Sequence, residues 1–347
     1  MRVKSVFFLP LMIYLLCVAS FSLPAFSTAK TSPLTDSEEH GFYYTVQKGD
    51  TLWDLSRKFF NSPFTWPELW GENKHLSNPH WIYPGQRLQI YLKKGGLPSS
   101  SKPTSPAGNR DSLPDTLQPY YYYSRIQQTG FVRKQPIEPC GHIFKVLKDK
   151  SMIAQDDIVY LTTNGDVSFH PDTRLYAYRT LPPLKKKEGN KFLRETIGFQ
   201  HEITGIVRVT ECHDGYAMGK IERSYANIKR NDPLMPFVER SPQIDLTDTI
   251  KGLQAHIIGT EGQDELMGND SVVFVDKGQN DGVQRGQMYT IYYQESARRN
   301  PEDKEAIELA PVDIGTLLVL HTQPDFATAL IVQADQEIHP GARLRGL

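Results

Sequence analysis

The chain has 347 residues, with 39 Lys and Arg against 40 Asp and Glu and a formal net charge of −1. That balance supplies no basic excess for holding nucleic acid. Beyond the first residues, no segment approaches the apolar length needed to span a bilayer.

The chain begins MRVKSVFFLPLMIYLLCVASFSLPAFSTAK, with basic Arg2 and Lys4, an apolar stretch and then small residues. This pattern predicts a secretory signal peptide over residues 1–29, cleaved after Ser27 or Ala29, with an uncleaved N-terminal anchor as the rival. Lipidation at Cys17 is not expected, because Leu16 stands where a small residue is needed. Losing Arg2 and Lys4 moves the net charge from −1 to about −3. The mature chain is then expected outside the cytoplasm, in the periplasm or cell envelope of a bacterium. Cys140 and Cys212 remain there, and an oxidising compartment permits one disulfide, though spacing does not show that they meet.

From Tyr44 the residues read YTVQKGDTLWDLSRKFF, and later WPELWGENKHLSNPHWIYPGQRLQI to Ile90. Tyr44–Val46 is a short β run and Lys48-Gly49-Asp50 a turn. Asp50 or Thr51 can cap a helix in which Leu52, Leu55, Phe59 and, as a further candidate, Trp53 fall at helical spacing. Pro67 suits the first turn of a second helix with Leu69 and Trp70 inward. Asn78-Pro79 opens a loop, Pro84-Gly85 is a tight turn, and Arg87–Ile90 alternates as a strand. All four tryptophans lie here (Trp53, Trp66, Trp70 and Trp81), and in so short a module most are expected in the core.

Strand, helix, helix, strand with these motifs resembles the lysin motif (LysM), over about residues 43–92. The resemblance implies a βααβ module that binds N-acetylglucosamine polymers, in bacteria usually peptidoglycan. It places the sugar in a shallow groove between Gly49, Asp50, Thr51 and Leu52 on one side and Pro79, Ile82, Tyr83 and Pro84 on the other. Gly49 would let backbone approach the ligand, and Ile82 or Leu52 would hold the acetyl methyl. Asp50 is expected as a cap rather than a sugar ligand.

Lys93 to Pro119 holds five Pro, five Ser and three Gly among 27 residues, which predicts a flexible linker over 93–119 that lets the parts work at their own angles. Tyr120–Tyr123 closes it, as a docking strand or an exposed patch. The remainder repeats itself. Gly141–Leu161 aligns without gaps on Ala255–Val275 at an offset of 114, and Gly205–Leu234 on Gly315–Leu344 at an offset of 110. His142 meets His256, Gly205 meets Gly315, and Ile221 meets Ile331. Two ungapped blocks in the same order predict a duplication, with β unit 1 at 120–240 and β unit 2 at 250–347. Alternating runs at Asp157–Leu161, Leu175–Arg179, Gly205–Thr210 and Tyr216–Ile221 predict strands. A helix has room only within Pro301–Leu309. The expected class is therefore an α+β LysM module followed by two tandem, duplicated, mainly-β domains, each a small barrel or sandwich. Each unit also carries a charged loop, Leu181–Glu195 and Glu295–Glu308, read as a solvated hairpin tip or a contact surface for an anionic partner.

No catalytic constellation emerges. His201-Glu202 starts like a zincin helix, but Gly205 stands where the second His belongs. There is no Cys-x-x-Cys, Gly-x-Ser-x-Gly or phosphate loop, and no metal or cofactor is expected. The expected function is a non-catalytic, exported peptidoglycan-binding protein that presents two β modules to an envelope protein partner. The alternatives are a cell-wall hydrolase with its site in residues 140–347, and a scaffold whose LysM fold serves protein contact.

Overall fold

The computed structural model describes residues 40–90, 119–150, 152–164, 168–188, 191–299 and 306–346. The signal segment and all of the linker but Pro119 lie outside them. The first elements are β1 (His40–Thr45), α1 (Leu52–Phe60), α2 (Trp66–Glu72), β2 (Arg87–Ile90), β3 (Tyr120–Tyr123) and β4 (Phe131–Arg133). Next come β5 (Gly141–Val146), β6 (Ile158–Thr163), β7 (Arg174–Thr180), β8 (Leu184–Glu188), β9 (Lys191–His213), β10 (Tyr216–Ser224) and β11 (Pro233–Pro236). They are followed by β12 (Gln243–Asp245), β13 (Ala255–Thr260), β14 (Val272–Val275), β15 (Met288–Tyr293), β16 (Ser296–Ala297) and β17 (Ile307–Glu308). The last are β18 (Val312–Thr322), β19 (Ala327–Ala334) and β20 (Arg343–Gly346).

The βααβ order of the module is present, and α1 forms where the apolar spacing placed it. Leu52, Leu55 and Phe59 are buried, Thr51 accepts the Asp54 amide as the N-cap, and Asn61 ends the helix in a left-handed conformation. The module's two-stranded sheet is not closed on itself. It grows to four strands in the order β12-β3-β1-β2, with Phe42 opposite Tyr121 and Tyr121 opposite Ile244. One face of this sheet carries Phe42, Tyr44, Tyr121, Tyr123 and Ile244. These side chains share a single core with Leu52, Leu55 and Leu69 of the helices and with Val272, Met288, Leu318, Leu320 and Leu330 of the second β unit.

This corrects the expectation of a module swinging on a tether. Whatever path residues 91–118 take, the strand that follows them returns to pair with β1. The Tyr120–Tyr123 run is therefore a strand of the module's sheet rather than of the first β unit. Burial of the Tyr121, Tyr123 and Ile244 side chains holds that sheet against the second unit, each contributing on the order of 1.5–3 kcal/mol.

The two β units are barrels. In the first, pairings run β5-β6-β10-β9-β7-β11 and return to β5, so six strands form a ring. In the second the ring is β13-β14-β19-β18-β15-β20, the same order position for position. Equivalent residues make equivalent bonds. The Asp156 amide donates to the Ile221 carbonyl and the Asp270 amide to the Ile331 carbonyl, each at 2.9 Å. Isolated bridges join Ile153 to Ile228 and Met267 to Ile338. Gly205 and Gly315 face the same obstacle: a Cβ at either would stand 2.5 Å from a carbonyl oxygen, that of Arg223 or Gln333. Val159, Val209, Ala217, Ile221, Ile228 and Leu234 fill one barrel, and Val273, Val319, Ala327, Ile331, Ile338 and Leu344 the other.

The charged loops are hairpin arms. β8 pairs with the first part of β9, which runs on into the barrel, and β16 pairs with β17. Ile307-Glu308 is strand, which corrects the room left for a helix there; residues 300–305 lie outside the described set. Both thiols are unpaired, with Cys140 Sγ donating to the Leu234 carbonyl at 3.2 Å and Cys212 Sγ to that of Phe169 at 3.1 Å.

Candidate functional site

The two loops expected to flank the groove are brought side by side by their own backbone. The Val46 amide donates to the Gln86 carbonyl and the Gly85 amide to the Val46 carbonyl, both at 2.8 Å. These bonds join the first strand to the Pro84-Gly85 turn, so the Gly49–Leu52 turn leaves β1 where the Pro79–Pro84 loop rejoins β2. Gly49 has φ +95° with nothing within 4 Å of a would-be Cβ, which is open space beside accessible backbone. A side chain there would be strained by φ alone.

The individual residues divide into builders and surface. The Asp50 carboxylate accepts the Tyr44 hydroxyl at 2.9 Å and the Gln47 amide at 2.7 Å, so it fastens the turn to the sheet. Burial, and then this contact, push the Tyr44 hydroxyl well above the usual phenol range. Thr51, not Asp50, caps α1, and its hydroxyl also donates to Asp54 at 2.7 Å. Leu52 is only 3% exposed and belongs to the core, so its side chain offers nothing to an acetyl methyl. Ile82 is half-buried against that core, Pro79 is half-buried, and Pro84 is exposed. Tyr83 is 60% exposed, while its amide donates to Gln86 Oε1 at 2.8 Å and holds the loop.

The expectation that most tryptophans are core is overturned. Trp81 is 65% and Trp53 38% exposed, and Trp66 and Trp70 are half-buried, Trp70 donating to the Leu76 carbonyl at 2.8 Å. Trp53 meets the exposed Phe64 edge to face at 5.2 Å. The signal was available: Trp53 falls one position off the Leu52, Leu55, Phe59 stripe, on the wet side of α1. Exposed rings beside accessible loop backbone suit a neutral ligand with both apolar faces and hydroxyl or amide edges, as sugars have.

Elsewhere the histidines are structural or solvated. His201 is buried and its ring is pushed down to about 4, chiefly by desolvation. His142 and His256 align, yet only His256 Nδ1 has a carboxylate, Asp276 Oδ2 at 3.0 Å; Thr162 stands at the matching place in the first barrel. His256 and Asp276 lie in a cleft of about 1330 Å³ between the first arm and the second barrel, lined also by Lys185, Ile197, Lys277 and Phe326. Nothing in the sequence pattern announced this cleft, because its walls come from elements as far apart in the chain as Lys134 and Arg343. Among the described residues no group of three or more His, Cys, Asp or Glu could hold a metal ion, and no helix is long and apolar enough to cross a membrane.

Residues 44–90 match the family model described as the LysM domain. A segment of 71 residues is 41% identical to the uncharacterized protein YqbP of Bacillus subtilis (strain 168), over 18% of this chain and 32% of that protein. The chain thus covers about a third of the curated relative that it matches. The likeness is segmental. It identifies the module and its implied glycan binding.

Proposed function

We propose that this is an exported, non-catalytic wall-anchoring protein. Its LysM holds N-acetylglucosamine-containing peptidoglycan between the Gly49–Leu52 and Pro79–Pro84 loops, and its two barrels face a protein partner in the bacterial envelope. The observation that carries the reading is the bonded juxtaposition of those two loops around Val46 and Gly85 within a segment that matches the LysM model. The identical strand order and matching bonds of the barrels support descent from one duplicated unit. Two such units raise avidity for a repeated partner without new kinds of contact. One shallow groove binds weakly, so the partner sets residence time at the wall.

The test is co-sedimentation of the intact chain with purified sacculi, with soluble muropeptides assayed in the supernatant. Separate pieces are a poor choice, since a cut before Tyr120 removes two strands from the module's sheet. Binding lost on changing Tyr83 and Ile82, with no muropeptide released, supports the proposal. Release of muropeptides would replace it with a hydrolase. Unchanged binding in the loop variants would make the LysM a protein-contact fold.

A further inference from the structure

The first arm leaves its own barrel and seats on the second. Leu184 and Ile197 of the arm, with Val132 of β4, pack against Ile258, Phe274 and Phe326. Gly259 lies beneath it, where a Cβ would touch Leu184 at 3.4 Å. Phe274 and Phe326 are 0% and 4% exposed, while Leu184, Ile197 and Ile258 are half-buried along the edge of the cleft.

The first barrel has the equivalent patch, and among the described residues no arm lies on it, the His213 ring alone stacking on Tyr216 at 4.8 Å. By the offsets of 114 and 110, Ile258, Phe274 and Phe326 align with Phe144, Tyr160 and Tyr216. These three also adjoin, with ring centroids 6.1 Å apart from Phe144 to Tyr160 and from Tyr160 to Tyr216. Yet Tyr216 is 37% exposed and the other two are half-buried. The second arm shows the converse. Ile307, which aligns with the seated Ile197, is 41% exposed, beside Leu309 at 40%, Val312 at 53% and Tyr293 at 54%. Tyr293 and Val312 are register partners, and the Leu309 amide bonds to the Glu295 carbonyl, so these apolar side chains gather at the base of one arm.

We propose that the second arm of one chain seats on the Phe144–Tyr160–Tyr216 patch of a second copy, repeating between chains the contact that the first arm makes within one. The contact is heterologous: each chain carries one donor arm and one acceptor patch, and association runs head to tail. The residues at its centre are exchanged: Glu308 stands where the first arm has Gly198, at which a Cβ would lie 3.2 Å from Phe326. Where the first contact sets Leu184 against Gly259, the second sets Ser296 against Lys145, a small residue facing a long one with the order reversed. Glu308, opposite Ser296 in register, pairs with Arg343 of its own chain at 3.7 Å. The inference stands on the barrels alone and is independent of the glycan reading.

Sedimentation velocity of the full chain from micromolar to hundreds of micromolar tests it, together with the surface variants Ile307→Asp and Tyr216→Asp. The weight-average mass of the parent chain rises with concentration, and each variant alone stays monomeric. A one-to-one mixture of the two variants gives dimers and nothing larger, because one intact arm and one intact patch survive. A parent chain that is monomeric throughout, variants that still assemble, or a mixture that fails to pair would each overturn it.

Discussion

The Tyr44 hydroxyl and the Asp50 carboxylate meet at 2.9 Å across the turn that leaves the first strand, and the same carboxylate accepts the Gln47 amide. Asp50 is thus the fastener of the loop that fronts the groove. Replacing it with Ala leaves two donors without their acceptor and is expected to cost about 1–3 kcal/mol. Tyr44→Phe removes only the hydroxyl from the far side of the bond and is expected to cost about 1 kcal/mol. Paired thermal melts and sacculus binding check this. If Asp50 acts by fastening, binding losses in the two variants follow their losses of stability; a binding defect in Asp50→Ala with an unchanged melt makes it a direct sugar ligand.

Tyr83 and Ile82 separate surface from support in the opposite loop. The Tyr83 ring is exposed while its amide does the structural bonding, so Tyr83→Ala is expected to change stability by less than about 0.5 kcal/mol. Its effect falls on glycan binding, read by co-sedimentation. Ile82→Asp places a charge against the half-buried core edge and lowers both stability and binding. Equal sacculus binding by the parent and Tyr83→Ala would remove that ring from the groove.

The module and the repeats were legible for different reasons. In α1 the stripe of Leu52, Leu55 and Phe59 and the Thr51 cap are local, so sequence spacing found them. The barrels were legible through their offsets, since duplicated strands must bury the same positions: Ile221 and Ile331 occupy one slot twice. What the sequence hid is long-range. Tyr120–Tyr123 has no polar alternation to show which face is inward, and its partners, β1 and β12, lie on opposite sides of it in the chain. Leu52 read equally well as core or as a groove wall, because a shallow groove on a small module is lined by residues one bond away from its core.

The seating of the module on the second barrel yields a prediction about rigidity. Ile244 is fully buried opposite Tyr121, within the core shared by the module's sheet and Leu318 and Leu330. Ile244→Ala is expected to cost about 2–5 kcal/mol. In hydrogen exchange, its amides and those of Tyr120–Tyr123 and β1 lose protection together, while those of the first barrel, such as Val207, change little. Protection lost uniformly over both barrels would show instead that the shared core unfolds as one unit with the rest.

Acidification acts around Phe131 of β4, whose ring lies 5.2 Å from that of His201 and 6.4 Å from that of His321. His201 and His321 are buried, and desolvation holds both rings neutral, His201 down to about 4 and His321 well below its ordinary value. An unfolded chain binds protons at these sites near pH 6.5, the folded chain only further down. The unfolded state therefore holds more protons in that interval, and stability falls as the pH drops from about 6.5 toward 4. Glu261 has the opposite sense. Burial raises its carboxyl, although the Gly130 amide donates to it at 2.6 Å, so its part in stability is full below the unfolded carboxyl value and is lost as the pH rises through its raised folded value. Two histidines act against this one carboxyl, and the melting temperature is expected to fall from pH 7 to pH 5. In His201→Gln and His321→Gln, each compared with its own melt at pH 7, that slope is reduced, and in the double variant it is smallest. A slope unchanged in the double variant would assign the acid sensitivity to other groups.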